Sequence, residues 1–292
     1  MKYLKRFKTH SNYEEYINGG EAVLPNVSYT EDALKVYYNP IPHDYSQDYF
    51  TMVVTVGGDV AWAGTNNNAL YYSKDNGKTW SEPSDGMTLS VNKGDKVLWK
   101  GETSPTSNGI GVFSGGTDVR YTVEGNIMSL LFGDDFKEQT SLAGKNSAFY
   151  HLFYNNKNIT SAGKLSLPAT TEISCYDGMF GNCSSLITAP ELPATVFELG
   201  CYCDMFSGCS SLVTAPELPA TVLGEGCYLR MFSGCTKLNY IKCLATNISA
   251  PVCLADWVTN VASSGTFVKA ADMEDWPTGT SGIPTGWTVV DA

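Results

Sequence analysis

The side chains able to do chemistry are few and lie far apart. Histidine occurs only as His10, His43 and His151, and none stands beside a Gly-x-Ser-x-Gly or cysteine-nucleophile signature. No phosphate-binding glycine loop and no His-Glu-x-x-His zinc helix occurs in the chain. Arg6, Arg120 and Arg230 are the only arginines and fall in three different segments, so no arginine cluster is available to grip a carboxylate substrate. Asp134-Asp135 has the character of a solvated turn rather than of an acid and base pair. Asp75 and Asp134-Asp135 offer oxygens to calcium, but neither lies in a ligand loop of the required spacing. Cys201-Tyr202-Cys203 lacks zinc-knuckle spacing, and no histidine follows His151 to complete a Cys/His centre. The expectation is a protein that is not an enzyme and has no catalytic residues, no metal and no cofactor.

The spacing of the cysteines carries more than their chemistry. Cys175, Cys201, Cys227 and Cys253 stand 26 residues apart and open the segments CYDGMFGNCSSLITAPELPATVFELG, CYCDMFSGCSSLVTAPELPATVLGEG and CYLRMFSGCTKLNYIKCLATNISAPV. Tyr176, Tyr202 and Tyr228 share a column, as do Phe180, Phe206 and Phe232, then Cys183, Cys209 and Cys235, then Leu186, Leu212 and Leu238. A degenerate copy precedes them at Ala148–Phe153, and another follows at Cys253–Val258. A period of 20 to 29 residues is that of leucine-rich repeats, in which one coil cannot bury its own apolar face and must stack on the next. The columns are therefore expected to be continuous core ladders about 4.8 Å apart, with the cysteines as small buried apolar groups.

These segments, together with the closing KCLATNISAPVCLADWVTNVASSGTFVKAADMEDWPTGTSGIPTGWTVVDA, resemble the BspA-like leucine-rich repeat proteins of gut Bacteroidetes and their phages, over residues 148–292. The resemblance implies a solenoid. Four or five coils make it short, and the Asn/Cys ladder of ordinary leucine-rich repeats is missing. After Ala250, Trp257, Phe267, Trp276 and Trp287 alternate with glycine and proline, the composition of a terminal unit that hides ladder edges. The alternative for Trp276 and Trp287 is an aromatic platform for carbohydrate. Recognition is expected at positions that vary between copies, Asp177-Gly178, Cys203-Asp204 and Leu229-Arg230, and at the loop ends Phe197-Glu198 and Leu223-Gly224-Glu225.

Upstream, the period changes. Runs such as Tyr49–Val56, Lys96–Lys100 and Asn126–Phe132, punctuated by Gly57-Gly58, Asn76-Gly77 and Gly115-Gly116, predict a small antiparallel β-sandwich-like domain over 46–147. Within it, Ser73-Lys74-Asp75-Asn76-Gly77-Lys78-Thr79-Trp80 is similar to the Asp-box of sialidases, a hairpin device in which Ser and Asp bond the turn and Trp packs beneath it. One copy without an arginine cluster leaves a sialidase-like glycan hydrolase as a minor alternative.

The first 45 residues predict a short capped helix and a proline-bounded hairpin-like piece. Tyr3, Phe7, Tyr13, Tyr16, Tyr29, Tyr37 and Tyr38 are too many aromatics for a segment of that size and call for a partner surface. The opening KYLKRFKTHSNYEEYINGGEAVLPNVSYTEDALKVYYNP resembles the N-terminal module that precedes diverse domains in proteins of Bacteroidetes phages. That resemblance implies attachment to other virion proteins.

The 292 residues, 43% hydrophobic and 12% aromatic, are ample for a packed core. A net charge of -11, spread without blocks, argues against nucleic-acid binding, and no run is long enough to cross a membrane. The basic start is not followed by the apolar run of a secretion signal. The fold class is thus mainly β with some α, divided as 1–45 attachment segment, 46–147 β domain, 148–252 repeats, and 253–292 last repeat and cap. The expected function is a phage virion structural or accessory protein, assembled in the host cytoplasm and contacting host glycan or surface protein. It is expected to form a homo-oligomer, although no heptad pattern demands one. The alternative is a BspA-like adhesin at the bacterial cell surface.

Overall fold

Among the described residues, eleven strands and very little helix make the fold mainly β, in several small sheets that do not close into a barrel. The computed structural model describes residues 43–64, 69–84 and 86–292; the attachment aromatics from Tyr3 to Tyr38 lie outside the described residues.

Period-2 alternation builds the first half. In β1 (Phe50–Val56) the side chains of Phe50, Met52 and Val54 are buried, and in β5 (Lys96–Glu102) those of Val97 and Trp99. These strands belong to a five-stranded sheet ordered β3-β5-β1-β7-β8, with β3 at Ala69–Ser73, β7 at Arg120–Asn126 and β8 at Ile159–Ser166. A second sheet runs β4-β2-β6, from Thr88–Val91, Gly58–Gly64 and Gly111–Gly115. Phe113 of β6 joins the two cores, its ring 4.4 Å from Trp62, 4.9 Å from Trp99 and 5.6 Å from Phe50. The sheet is not wholly antiparallel, and it does not end at residue 147. β8 adds to β7 in parallel, because the chain first turns through a helical turn, Ser129–Phe132, and the 148–156 segment before returning to the sheet edge.

From residue 147 onward, successive segments stack. Tyr176, Gly178, Phe180 and Asn182 donate their N–H groups to the carbonyls of Cys201, Cys203, Met205 and Ser207, at 2.6–3.0 Å. The intervening Asp177, Met179, Gly181 and Cys183 donate back to Ser174, Tyr176, Gly178 and Phe180 in their own segment. Every second N–H thus ties neighbouring segments together, and buried donors find partners without long strands. The rings follow: Tyr176–Tyr202 at 5.4 Å, Phe180–Phe206 at 5.7 Å and Phe206–Phe232 at 5.8 Å, all stacked. This exceeds the 4.8 Å strand spacing because flat rings offset as they stack.

The C-terminal sheet is parallel: β9 (Tyr240–Cys243), β10 (Thr266–Lys269) and β11 (Thr288–Asp291) pair in order. Trp257 ends the aromatic ladder, 6.3 Å from Tyr228 and 6.2 Å from Trp276, with its indole N–H on the Gly282 carbonyl. Residues Asp44–Ala292 form one compact unit whose core is continuous from Phe50 to Trp287.

Candidate functional site

The tight turning of each repeat segment rests on three backbone positions, four residues apart, that adopt left-handed φ. They are Ser174, Gly178 and Asn182 in one segment, Gly200, Asp204 and Gly208 in the next, and Gly226, Arg230 and Gly234 in the third, with φ between 51° and 77°. Glycine and asparagine tolerate this region best. Asp204 and Arg230 occupy the middle position of their segments, and the left-handed turn carries both side chains to the same side of the stack.

There Arg230 grips Asp204 with two bonds, Nε to Oδ1 at 3.0 Å and Nη2 to Oδ2 at 2.6 Å. Such bidentate pairs are directional and strong. The Cys203 thiol donates to Asp204 Oδ2 at 3.4 Å, and ligand atoms of Asp177, Cys203 and Asp204 lie within 4.8 Å of one another. Arg230 is the cation that balances this group. Burial, and then the charge of Asp204, raise the Asp177 carboxyl to about 6 against the opposing pull of Arg230. One segment away, His151 stacks against Tyr150 and Tyr154 with ring centres 3.9 and 4.3 Å apart, and burial lowers its imidazole. Gly178 leaves the space that the His151 ring fills. The result is a rigid polar strip with aromatic edges, built to hold hydrogen-bonding groups in place.

Asp177, Asp204 and Arg230 are therefore brought together. Glu198 and Glu225 are exposed on the loops and do not join them. Not every variable position faces outward: Cys203 is only 8% exposed, Gly178 and Leu223 are buried, and Phe197 packs edge-on against Tyr202 and Tyr228. The cap tryptophans present no open platform. Trp287 is 7% exposed with its N–H on the Ala262 carbonyl, and Trp276 stacks on Trp257 and meets Phe267 edge-on. All nine cysteines are free and buried. They do more than fill space, for Cys183, Cys209 and Cys235 donate to the carbonyls of Phe153, Phe180 and Phe206 in the preceding segment at 3.0–3.1 Å.

The carboxylates weighed for calcium have protein partners. Asp75 accepts from the Thr79 N–H and hydroxyl and from Ser73 Oγ, which lowers its carboxyl to about 2; Asp134 accepts from Lys100 and Tyr49. Sequence reasoning missed His151 with its two tyrosines and missed the left-handed columns. The second had a signal: Ser, Gly, Asn or Asp recurring every four residues in the first two segments, and Gly226 and Gly234 on either side of Arg230 in the third. Among the described residues no helix is long and apolar enough to cross a membrane. No protein family, curated protein or solved structure matches the chain.

Proposed function

We propose that the chain is a non-enzymatic phage virion structural or accessory protein, of head or tail, that displays a short BspA-like leucine-rich-repeat solenoid to host glycan or surface protein. The observation that supports this reading best is the stacking of 26-residue segments through alternate N–H groups, with the Asp177–Asp204–Arg230 strip on one side. A stack fixed in this way presents side chains at set intervals and loses little entropy on binding. The 1–45 segment docks other virion proteins, the β domain acts as spacer, and the chain works as a homo-oligomer assembled in the host cytoplasm. The resemblance of the opening residues to phage attachment modules is the second support.

Antibody-gold electron microscopy on cells and filtered lysate of the source culture tests this. Label on particles is the expected outcome. Label confined to cell envelopes would overturn it in favour of a surface adhesin.

A further inference from the structure

A pocket of about 270 Å³ opens on the outer face of the five-stranded sheet, far in sequence from the repeats. Strand register makes its base: Tyr71 of β3 lies opposite Lys100 of β5, and Glu102 follows on the same face. The turn at residues 73–80 brings Trp80 over that face, and the turn after the helix brings Asp134. Gly133 adopts φ 55°, and a Cβ there would stand 3.3 Å from Glu102 Cγ, so the missing side chain keeps the pocket open.

The lining has three kinds of surface. Tyr71 and Trp80 supply flat apolar faces. Lys100, only 16% exposed along its side chain, reaches both Asp134 oxygens at 2.7 and 2.8 Å while its ammonium lies 4.4 Å from the Trp80 ring centre. Tyr49 donates to Asp134 at 2.5 Å and packs edge-on against Trp80, which fixes the carboxylate and the indole together. Glu102 differs from both. Its carboxylate is exposed and has no hydrogen-bond or ion-pair partner among the described residues.

We infer that this pocket binds a neutral pyranose sugar, with the C–H face of the ring on Tyr71 and Trp80 and adjacent hydroxyls donating to Glu102. A carboxylate with two free oxygens suits a pair of vicinal hydroxyls, and the Lys100–Asp134 pair offers both a donor and an acceptor. Lys100 is already neutralised by Asp134, so Glu102 leaves the pocket net negative. Anionic sugars and phosphates are therefore repelled. The inference is independent of the virion reading and of the repeat face.

Saturation-transfer difference NMR on the full chain, with methyl glycosides of glucose, galactose, mannose and N-acetylglucosamine at millimolar concentration, tests it. At least one glycoside receives saturation, and Glu102→Ala and Tyr71→Leu each weaken its Kd about tenfold or more, the loss expected for a charged hydrogen bond or a stacking face. Glu102 has no partner to lose, so its variant keeps the wild-type thermal midpoint. Absence of saturation for all four glycosides overturns the proposal. So does an unchanged Kd in either variant, or tighter binding of a sialylated sugar than of its neutral parent.

Discussion

Burial and the carboxylate of Asp204 both oppose the charge on Asp177, which holds its proton up to about 6 against an ordinary 3.8. The folded chain therefore binds that proton more tightly than the unfolded chain, and this group's contribution to stability falls as pH rises from about 4 to about 6. Asp177→Asn removes the charge and keeps the shape. After allowance for solvent screening, the variant should be more stable than wild type by about 1 kcal/mol at pH 7 and equal to it at pH 4. Thermal midpoints at the two pH values read this directly, and an unchanged difference between them would show that Asp177 does not titrate in that window. The thiols follow the same physics. Burial raises Cys175 and Cys235 to about 12, so almost no thiolate exists at neutral pH to attack a disulfide reagent. Ellman's reagent should react slowly with the native chain and with nine equivalents after unfolding in non-reducing guanidinium. Fewer than nine would mean oxidised pairs, and a fast native burst would mean an exposed thiol.

A repeat segment depends on what its left-handed columns tolerate, and the columns are not equivalent. At Gly226 a Cβ would meet only Gly200 backbone atoms at 3.8 and 3.9 Å, whereas at Gly178 it would run into the His151 ring. Gly226→Ala should thus cost only the left-handed strain, about 1–2 kcal/mol. Gly178→Ala adds a clash to that strain, and His151→Ala should recover the clash component. Urea denaturation of the two single variants and the Gly178→Ala/His151→Ala double variant measures it; equal losses at the two glycines would refute the contact. Such non-equivalence bounds what sequence could reveal. Columns of Tyr, Phe, Cys and Leu were legible, because burial repeats the same residue type every 26 positions. The polar strip was half legible: variation marked Asp177, Asp204 and Arg230, but variation does not say that Cys203 turns inward or that His151 lies beside the group. The parallel addition of β8 was hidden, since Ile159–Ser166 buries Ile159, Ala162 and Leu165, three residues apart rather than two, and its partner is set by a long crossover.

Across the whole molecule, the β domain and the repeats share structure rather than a flexible link. Phe153 stacks on Phe180 of the next segment at 5.2 Å and on Phe113 of β6 at 5.7 Å. Two buried asparagines tie the same junction. Asn156 Nδ2 donates to the Phe113 carbonyl at 2.8 Å and to the Tyr121 hydroxyl at 2.6 Å, and Asn158 Nδ2 donates to the Gly116 and Val119 carbonyls at 2.7 and 2.8 Å. Asn158 is 4% exposed, but Gly116 is open to water and the Val119 carbonyl also accepts from Arg120 Nη1 at 2.7 Å, so Asn158→Ala should cost about 1 kcal/mol through the lost Nδ2 bonds. Its reach is the sharper expectation. Repeat proteins lose cooperativity when neighbours touch only weakly, whereas a junction with rings and buried amides on both sides should couple the halves. Hydrogen exchange followed by mass spectrometry separates the cases, using peptides from 50–64 and 96–115 for the β domain and from 200–245 for the repeats. In the wild type both sets should exchange through one common opening, and Asn158→Ala should lower their protection by the same factor. If the repeat peptides kept their protection while the β-domain peptides lost theirs, the two parts would be separate folding units, and Phe153 would be a contact between them rather than part of one core.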